Sequence, residues 1–139
     1  MNTLLTVLVD DEPLARLRLR SLLQLCSETP IEVVGEAAEA QQAIELLRRT
    51  ECDLVLIDIH MPGRDGLQLA SALRSLPGPP AVVFVTAHAQ HALRAFDLDA
   101  VDYLTKPVQR DRLQAALHRA AQRRWSTSTR SGLLDETPV

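Results

Sequence analysis

Four of the strands predicted from this sequence end in side chains that could act together in one reaction. They are Asp10 and Asp11 after the first strand, Asp58 at the end of the third, Thr86 at the end of the fourth and Lys106 after the fifth. Three carboxylates cannot lie close together and all stay ionised without compensation. A hard divalent cation such as Mg²⁺ supplies it, because it prefers oxygen ligands and binds carboxylates together with a phosphate. Carboxylate, Mg²⁺, hydroxyl and ammonium groups around one point suit phosphoryl transfer, in which an aspartate can be the nucleophile.

Among these segments, the one around Asp58 gives the clearest indication of a functional site. Residues 54–57 are four consecutive aliphatic residues, which is typical of a strand buried on both faces. A loop with Pro62 and Gly63 follows, and a helical pattern begins at Gly66. An unpaired charge at the end of a buried strand is costly, so its presence there needs a reason. In open α/β sheets the reason is often a ligand site, because ligands bind beyond the carboxyl ends of the strands. Asp58 is therefore predicted to lie in a site.

The elements that position these side chains alternate between strand and helix patterns five times. Strands are predicted at 4–9, 31–37, 54–58, 81–86 and 101–105, and helices from 13 to about 26, at 40–49, 67–76 and 92–98, and from 110 to about 124. This pattern predicts an α/β fold, a parallel sheet with helices on both faces. The doubly wound order 2-1-3-4-5 would bring Asp10, Asp11 and Asp58 to one edge. Asp11 is also a candidate N-cap of the first helix.

Length and composition favour one ordinary globular domain. The chain has 139 residues, 46% hydrophobic and 24% charged, with a net charge of -3, so nothing overall suggests nucleic acid or an anionic membrane. No secretory signal or membrane-spanning run is visible, and Cys26 and Cys52 form no CxxC motif, so we expect a cytoplasmic protein with reduced thiols. We assign residues 1–124 to the domain and residues 125–139, which include a polar Ser/Thr run, to a linker or disordered tail.

The chain resembles the receiver domains of bacterial two-component response regulators over residues 4 to about 123. Four motifs carry the resemblance in order: VDDEP at 9–13, DIHMPG at 58–63, TA at 86–87 and KP at 106–107. The segment AFDLDAVDYLTKP at 95–107 is similar to receivers attached to LytTR-type DNA-binding domains. The resemblance implies a flavodoxin-like (CheY-like) fold of five parallel strands and five helices.

The resemblance also implies a role for each site residue. Asp58 would be the phosphoacceptor, and Asp11 would bind Mg²⁺ directly. Asp10 would act mostly through a bound water, and the main-chain carbonyl of His60 would be a further ligand. Lys106 would pair with Asp58 and then with the phosphoryl group, and the Lys106–Pro107 bond would be cis.

The remaining implications concern the switch and the partners. Thr86 would donate its hydroxyl to the phosphoryl group, and Tyr103 would change rotamer in response. A sensor histidine kinase would be the donor, and a C-terminal DNA-binding domain beyond this chain would be the output. The receiver itself would be no enzyme beyond its own phosphorylation and dephosphorylation, and would contact neither membrane nor nucleic acid. A homodimer through the fourth helix, fifth strand and last helix is expected on phosphorylation.

Two other functions remain open at this point. One is a Mg²⁺-dependent phosphohydrolase with an aspartyl-phosphate intermediate, although no DxD motif follows the first strand. The other is a flavodoxin-like cofactor binder, although Asp10 and Asp11 would repel a phosphate there. His60 and His88 could shield the acyl phosphate, contact it or bind a transition metal, or they could be solvent-facing loop residues. His91 and His118 are expected at the surface.

Overall fold

Five parallel strands form a single sheet. The computed structural model describes residues 2–136, with side chains for residues 2–125. The strands are β1 (Leu4–Val9), β2 (Ile31–Ala37), β3 (Leu54–Ile57), β4 (Ala81–Thr86) and β5 (Asp102–Thr105). They pair in the order β2-β1-β3-β4-β5, and every pairing is parallel. The predicted sheet and its strand order are therefore confirmed.

Helices cover both faces of the sheet and create two hydrophobic layers. They are α1 (Pro13–Leu25), α2 (Ala40–Arg49), α3 (Gly66–Leu73), α4 (Ala92–Asp97, after a 3₁₀ turn at Ala89–His91) and α5 (Arg110–Glu136). Buried side chains of α2, α3 and α4 pack on one face of the sheet, and those of α1 and α5 pack on the other. The central strands β1, β3 and β4 are largely aliphatic because both of their faces are buried, whereas the edge strands β2 and β5 are partly exposed. None of the helices in the described part of the chain could cross a membrane.

Helix α5 differs most from its predicted bounds. It was expected to end near Arg124, but it continues to Glu136. The polar run after Trp125 contains neither proline nor glycine before Gly132, and each Ser or Thr costs only a few tenths of a kcal/mol in a helix. Residues 125–136 belong to this helix, and the assignment of residues 125–139 to a linker or disordered tail toward an output domain stays a prediction. Residues 137–139 of that prediction lie outside the described residues.

Two helix starts shape the site. The N-cap of α1 is Glu12 and its side chain makes no capping bond, so the expectation that Asp11 caps this helix is wrong. Helix α3 begins behind Asp65, whose side chain accepts a hydrogen bond from Gln68 N. A Cβ on Gly66 would lie 2.3 Å from the main-chain oxygen of Asp58, so only glycine lets α3 start this close to the end of β3.

Candidate functional site

Three carboxylates meet where β1 and β3 end. These strands are neighbours, and Asp58 N donates to Val9 O at 2.9 Å, so the residues that follow the two strands lie side by side. Carboxylate oxygens of Asp10, Asp11 and Asp58 all lie within 4.8 Å of one another, as the sheet order predicts. The residues Asp10 and Asp58 are only 6% and 7% exposed, whereas Asp11 is exposed. We call these three residues the acidic pocket.

Lys106 spans the two buried carboxylates. Its Nζ donates to Asp10 Oδ2 at 2.9 Å and to Asp58 Oδ2 at 3.1 Å. Lys106 N donates to Thr86 O at 2.8 Å, so Lys106 lies beside the end of β4, and the Lys106–Pro107 bond is cis as expected. Burial by itself would lower the pKa of Lys106. The hydrogen bond to Asp10 and the charges of Asp58 and Asp10 outweigh it, so the pKa is raised and the side chain is an ammonium ion.

Main-chain amides hold the other oxygens of the two buried carboxylates. Asp10 Oδ1 accepts from Glu12 N at 2.9 Å, and Asp58 Oδ1 accepts from His60 N at 3.2 Å. The pocket therefore combines three formal negative charges with one ammonium group, and its side-chain ligand atoms are all oxygens. A hard cation such as Mg²⁺ fits this donor set, because carboxylates are its preferred protein ligands and the pocket carries uncompensated negative charge.

Thr86 and Tyr103 meet at the backbone of His88. Thr86 is completely buried, and its hydroxyl oxygen accepts a hydrogen bond from His88 N at 3.4 Å. The Tyr103 hydroxyl donates to the carbonyl oxygen of His88, and burial raises the pKa of Tyr103. The Tyr103 ring lies 6.3 Å from that of Phe84. The loop after β4 thus connects a buried hydroxyl to a half-buried aromatic side chain.

Two features of the site were not predicted from sequence. Arg16 donates to the main-chain oxygen of Asp10 and to Glu36 Oε1, the latter at 2.7 Å, and so ties the loop after β1 to β2. His60 lies 3.9 Å from His88 and 5.5 Å from His91, measured between ring centroids, so His91 is part of a group rather than an isolated surface residue. We call His60, His88 and His91 the histidine cluster. His118 is exposed, as expected.

The sheet order, the acidic pocket and the bridging lysine define a flavodoxin-like α/β protein with an oxygen-rich site at the carboxyl ends of its strands. The family model of the response regulator receiver domain matches residues 6–118, which is most of the chain. The chain therefore belongs to the response regulator receiver domain family of two-component systems.

Individual relatives agree with this assignment. The chain is 46% identical over 123 residues to the positive alginate biosynthesis regulatory protein of Pseudomonas aeruginosa, covering 88% of this chain and 48% of that protein. It is 43% identical over 118 residues to the transcriptional regulatory protein BtsR of Salmonella typhi, covering 85% of this chain and 48% of BtsR. The chain thus spans about half the length of the curated relatives it matches.

Solved structures show the same fold. The response regulatory domain of MrkE from Klebsiella pneumoniae superposes with a TM-score of 0.79 at 30% identity, covering 90% of this chain and 99% of that one. The signal receiver domain of the putative response regulator NarL from Mycobacterium tuberculosis gives 0.76 at 33% identity, covering 88% and 98%. Both neighbours are receiver domains, in agreement with the family assignment.

Proposed function

We propose that this domain accepts a phosphoryl group on Asp58 from a sensor histidine kinase and thereby controls a transcriptional output. The observation that carries the proposal is the position of Asp58. Its carboxylate is buried at a strand end, contacts the Lys106 ammonium at 3.1 Å, and lies within 4.8 Å of carboxylate oxygens of Asp10 and Asp11. A carboxylate so placed can act as a nucleophile while the neighbouring positive charges receive the incoming phosphoryl oxygens.

In the proposed reaction, a carboxylate oxygen of Asp58 forms a bond to phosphorus as the bond from phosphorus to the donor's imidazole nitrogen breaks. Bound Mg²⁺ would neutralise the phosphoryl oxygens. Asp11 and Asp58 would hold it directly, Asp10 would act mostly through water, and the carbonyl of His60 would be a further ligand. Lys106 would release a carboxylate oxygen and donate to a phosphoryl oxygen instead.

Thr86 and Tyr103 would read the new charge. The Thr86 hydroxyl oxygen accepts from His88 N, so its own proton can be donated to a phosphoryl oxygen. Because Tyr103 is bonded to the carbonyl oxygen of His88, and the N–H of the same residue is bonded to Thr86, movement of this loop would break or relocate the tyrosine contact. A ligand shifts an equilibrium between two loop conformations only by interacting differently with each of them. The phosphoryl dianion on Asp58 would do so, because the Thr86 hydroxyl would reach it in only one of the two conformations.

The surface beside Tyr103 supports a phosphorylation-dependent homodimer. Leu93 and Phe96 on α4 are both 83% exposed, and neighbouring exposed apolar side chains of this kind mark interaction surfaces. Asp102 on β5 is already paired with Arg112 and Arg119 on α5, at 3.1 and 2.7 Å, so a partner could reach this aspartate only by displacing or sharing an arginine. We therefore expect the apolar surface of α4 to lie at the centre of a dimer interface formed by α4, β5 and α5 of each copy.

The output is proposed from the relatives. Several of them are named as regulatory or sensory transduction proteins, and they are about twice as long as this chain. A LytTR-type DNA-binding domain beyond residue 139 would account for that length, with residues 125–136 leading toward it. The receiver itself would then bind no nucleic acid, and phosphoryl transfer would take place in the cytoplasm, where the kinase domain of a sensor is found.

Metal-dependent labelling tests the proposal. We would incubate the protein with acetyl phosphate and follow its mass with Mg²⁺ or with a chelator. Asp11→Asn should abolish most labelling, because it removes a charged Mg²⁺ ligand while leaving the fold intact. Asp65→Asn is the matched control, since it removes the same charge from the N-cap of α3, outside the acidic pocket, and Asn also caps helices.

Normal labelling of Asp11→Asn would refute the ligand assignment. Steady release of phosphate from a phosphomonoester, without accumulation of the labelled protein, would favour a phosphohydrolase instead.

A further inference from the structure

Arg16 on α1 contacts the loop that carries two of the three residues of the acidic pocket. It donates through Nη1 to the main-chain oxygen of Asp10 and through Nε to Glu36 Oε1, the latter at 2.7 Å. The carbonyl group of Asp10 and the N–H of Asp11 belong to one planar peptide unit. A hydrogen bond to that carbonyl therefore restricts the orientation of the peptide that joins the two acidic residues.

Asp10 and Asp11 differ in how firmly their surroundings hold them. Asp10 is only 6% exposed, its N–H donates to Ala37 O at 3.1 Å, and its Oδ1 accepts from Glu12 N at 2.9 Å. Asp11 is exposed, so packing does little to fix its side chain. The position of the Asp11 carboxylate thus depends mainly on the peptide that leads into it, and this is the peptide that Arg16 contacts.

A bulge in β2 turns Glu36 toward Arg16. The pairing of β2 with β1 shifts by one residue after Thr6, so that Leu8 pairs with Glu36. Leu8 lies in the hydrophobic layer of α1 and α5, and Glu36 therefore faces the same side of the sheet. Without the shift, Glu36 would pair with Val9, which lies in the layer of α2, α3 and α4. The bulge thus places a carboxylate beside α1.

Glu36 holds Arg16 in place and partly offsets its charge. The two carboxylate oxygens of Glu36 accept from Arg16 and, one turn further along α1, from Arg20. Burial by itself would raise the pKa of Glu36. The hydrogen bonds and charges of Arg20 and Arg16 outweigh it, so the pKa is lowered and the side chain is ionised. The Arg16 side chain is 17% exposed and that of Arg20 is 43% exposed, so Arg16 is the more enclosed of the two.

We propose that Arg16 is a positioning residue of the acidic pocket, held by Glu36, and that it keeps the peptide between Asp10 and Asp11 in an orientation suited to Mg²⁺. The inference rests on the proposed function, because it takes the pocket to be a magnesium site. By its charge alone, Arg16 would repel a second cation, and its removal would tighten Mg²⁺ binding. Positioning predicts the opposite sign, a weaker affinity for Mg²⁺ when Arg16 is replaced.

An NMR titration of the whole chain with MgCl₂ tests this sign, with the amide signals of residues 10–12 and 58–60 as the readout. Arg16→Met should raise the dissociation constant of Mg²⁺ about tenfold, as is usual when a group that orients a metal ligand is lost. Arg20→Met is the matched control, because it removes the same charge from a residue of α1 that bonds Glu36 rather than Asp10. This control should leave the dissociation constant unchanged.

A double variant shows whether Glu36 acts through Arg16. Glu36→Gln should weaken Mg²⁺ binding less than Arg16→Met does. Added to Arg16→Met, it should cause no further loss, because effects within one network are not additive. Urea unfolding in a chelator separates stability from affinity, since a merely structural role of Arg16 would lower the unfolding midpoint and leave the Mg²⁺ dissociation constant at the wild-type value.

Two results would overturn the inference while the magnesium site stands. One is an unchanged or lower dissociation constant in Arg16→Met when wild type binds Mg²⁺. The other is an equal loss of affinity in Arg20→Met, which would reflect the charge of α1 rather than the contact with Asp10. If the amides of wild type do not respond to Mg²⁺ at all, the magnesium site of the proposed function is refuted, and this inference falls with it.

Discussion

Replacing Lys106 with methionine should destabilise the protein by an amount set by the two contacts of its ammonium group. The side chain bonds Asp10 at 2.9 Å and Asp58 at 3.1 Å, with 25% of its surface exposed and less than a tenth of either carboxylate exposed. Hydrogen bonds to charged groups contribute about 1.5–3 kcal/mol each. Part of this loss is offset, because the folded protein no longer has to remove the charged ammonium group from water. We expect a net loss of about 3 kcal/mol in the free energy of unfolding.

Urea unfolding in a chelator measures this loss. With a slope of about 2 kcal/mol per molar urea, the midpoint should fall by about 1.5 M. Mg²⁺ at ten times its dissociation constant adds about 1.4 kcal/mol. Lys106→Met should be stabilised more than wild type at the same Mg²⁺ concentration, because the ammonium group no longer competes with the ion.

Arg124→Met is the matched control for this prediction. Its guanidinium pairs with Asp53 at 3.1 Å, outside the acidic pocket. This variant should lose stability but respond to Mg²⁺ like wild type. A wild-type midpoint for Lys106→Met, or the same Mg²⁺ response in all three proteins, would refute the reasoning.

Three further predictions concern the pocket, its support and its readout. Because the folded-state pKa of Lys106 is raised above the unfolded value of about 10.4, its stabilisation is present below that pH and is lost as pH rises through the folded pKa. The gap in urea midpoints between wild type and Lys106→Met should therefore narrow above about pH 10.5. Gly66→Ala should cost about 3 kcal/mol or more in urea unfolding, since its Cβ would meet main-chain atoms at 2.3 Å, whereas Gly35→Ala, which meets the mobile end of Leu46, should cost less than about 1 kcal/mol. Beryllofluoride should double the sedimenting mass of wild type but not of Thr86→Ala; equal dimerisation of both would exclude this route of signalling.

Sequence reasoning succeeded where strand order alone determines position. Asp10 and Asp58 directly follow buried aliphatic strands and Lys106 directly follows β5, so a parallel sheet of known order places all three at one edge. Tyr103 and Thr86 were likewise placed by their strands. The pairing of the two histidine-bearing loops depends instead on loop conformation and side-chain rotamers, which have no periodic signal.

Other features lacked a usable signal for physical reasons. The contact of Arg16 with Glu36 joins residues far apart in sequence, and a surface arginine has many candidate partners. Asp11 is the better N-cap by residue type, but α1 starts one residue later, behind Glu12, whose N–H bonds the Asp10 carboxylate. The residues of α5 beyond Arg124 neither strongly favour nor strongly oppose a helix, so the sequence did not indicate where this helix ends.

The central claim is that Asp58 is the phosphoacceptor, and intact-protein mass spectrometry tests it most directly. Wild type incubated with acetyl phosphate and Mg²⁺ should gain the mass of one phosphoryl group. Peptide mapping should place that group in the segment containing Asp58. Asp58→Asn, which keeps the size of the side chain but removes its nucleophilic charge, should gain nothing under the same conditions. An equal gain by Asp58→Asn, or a label mapped to another residue, would contradict the account.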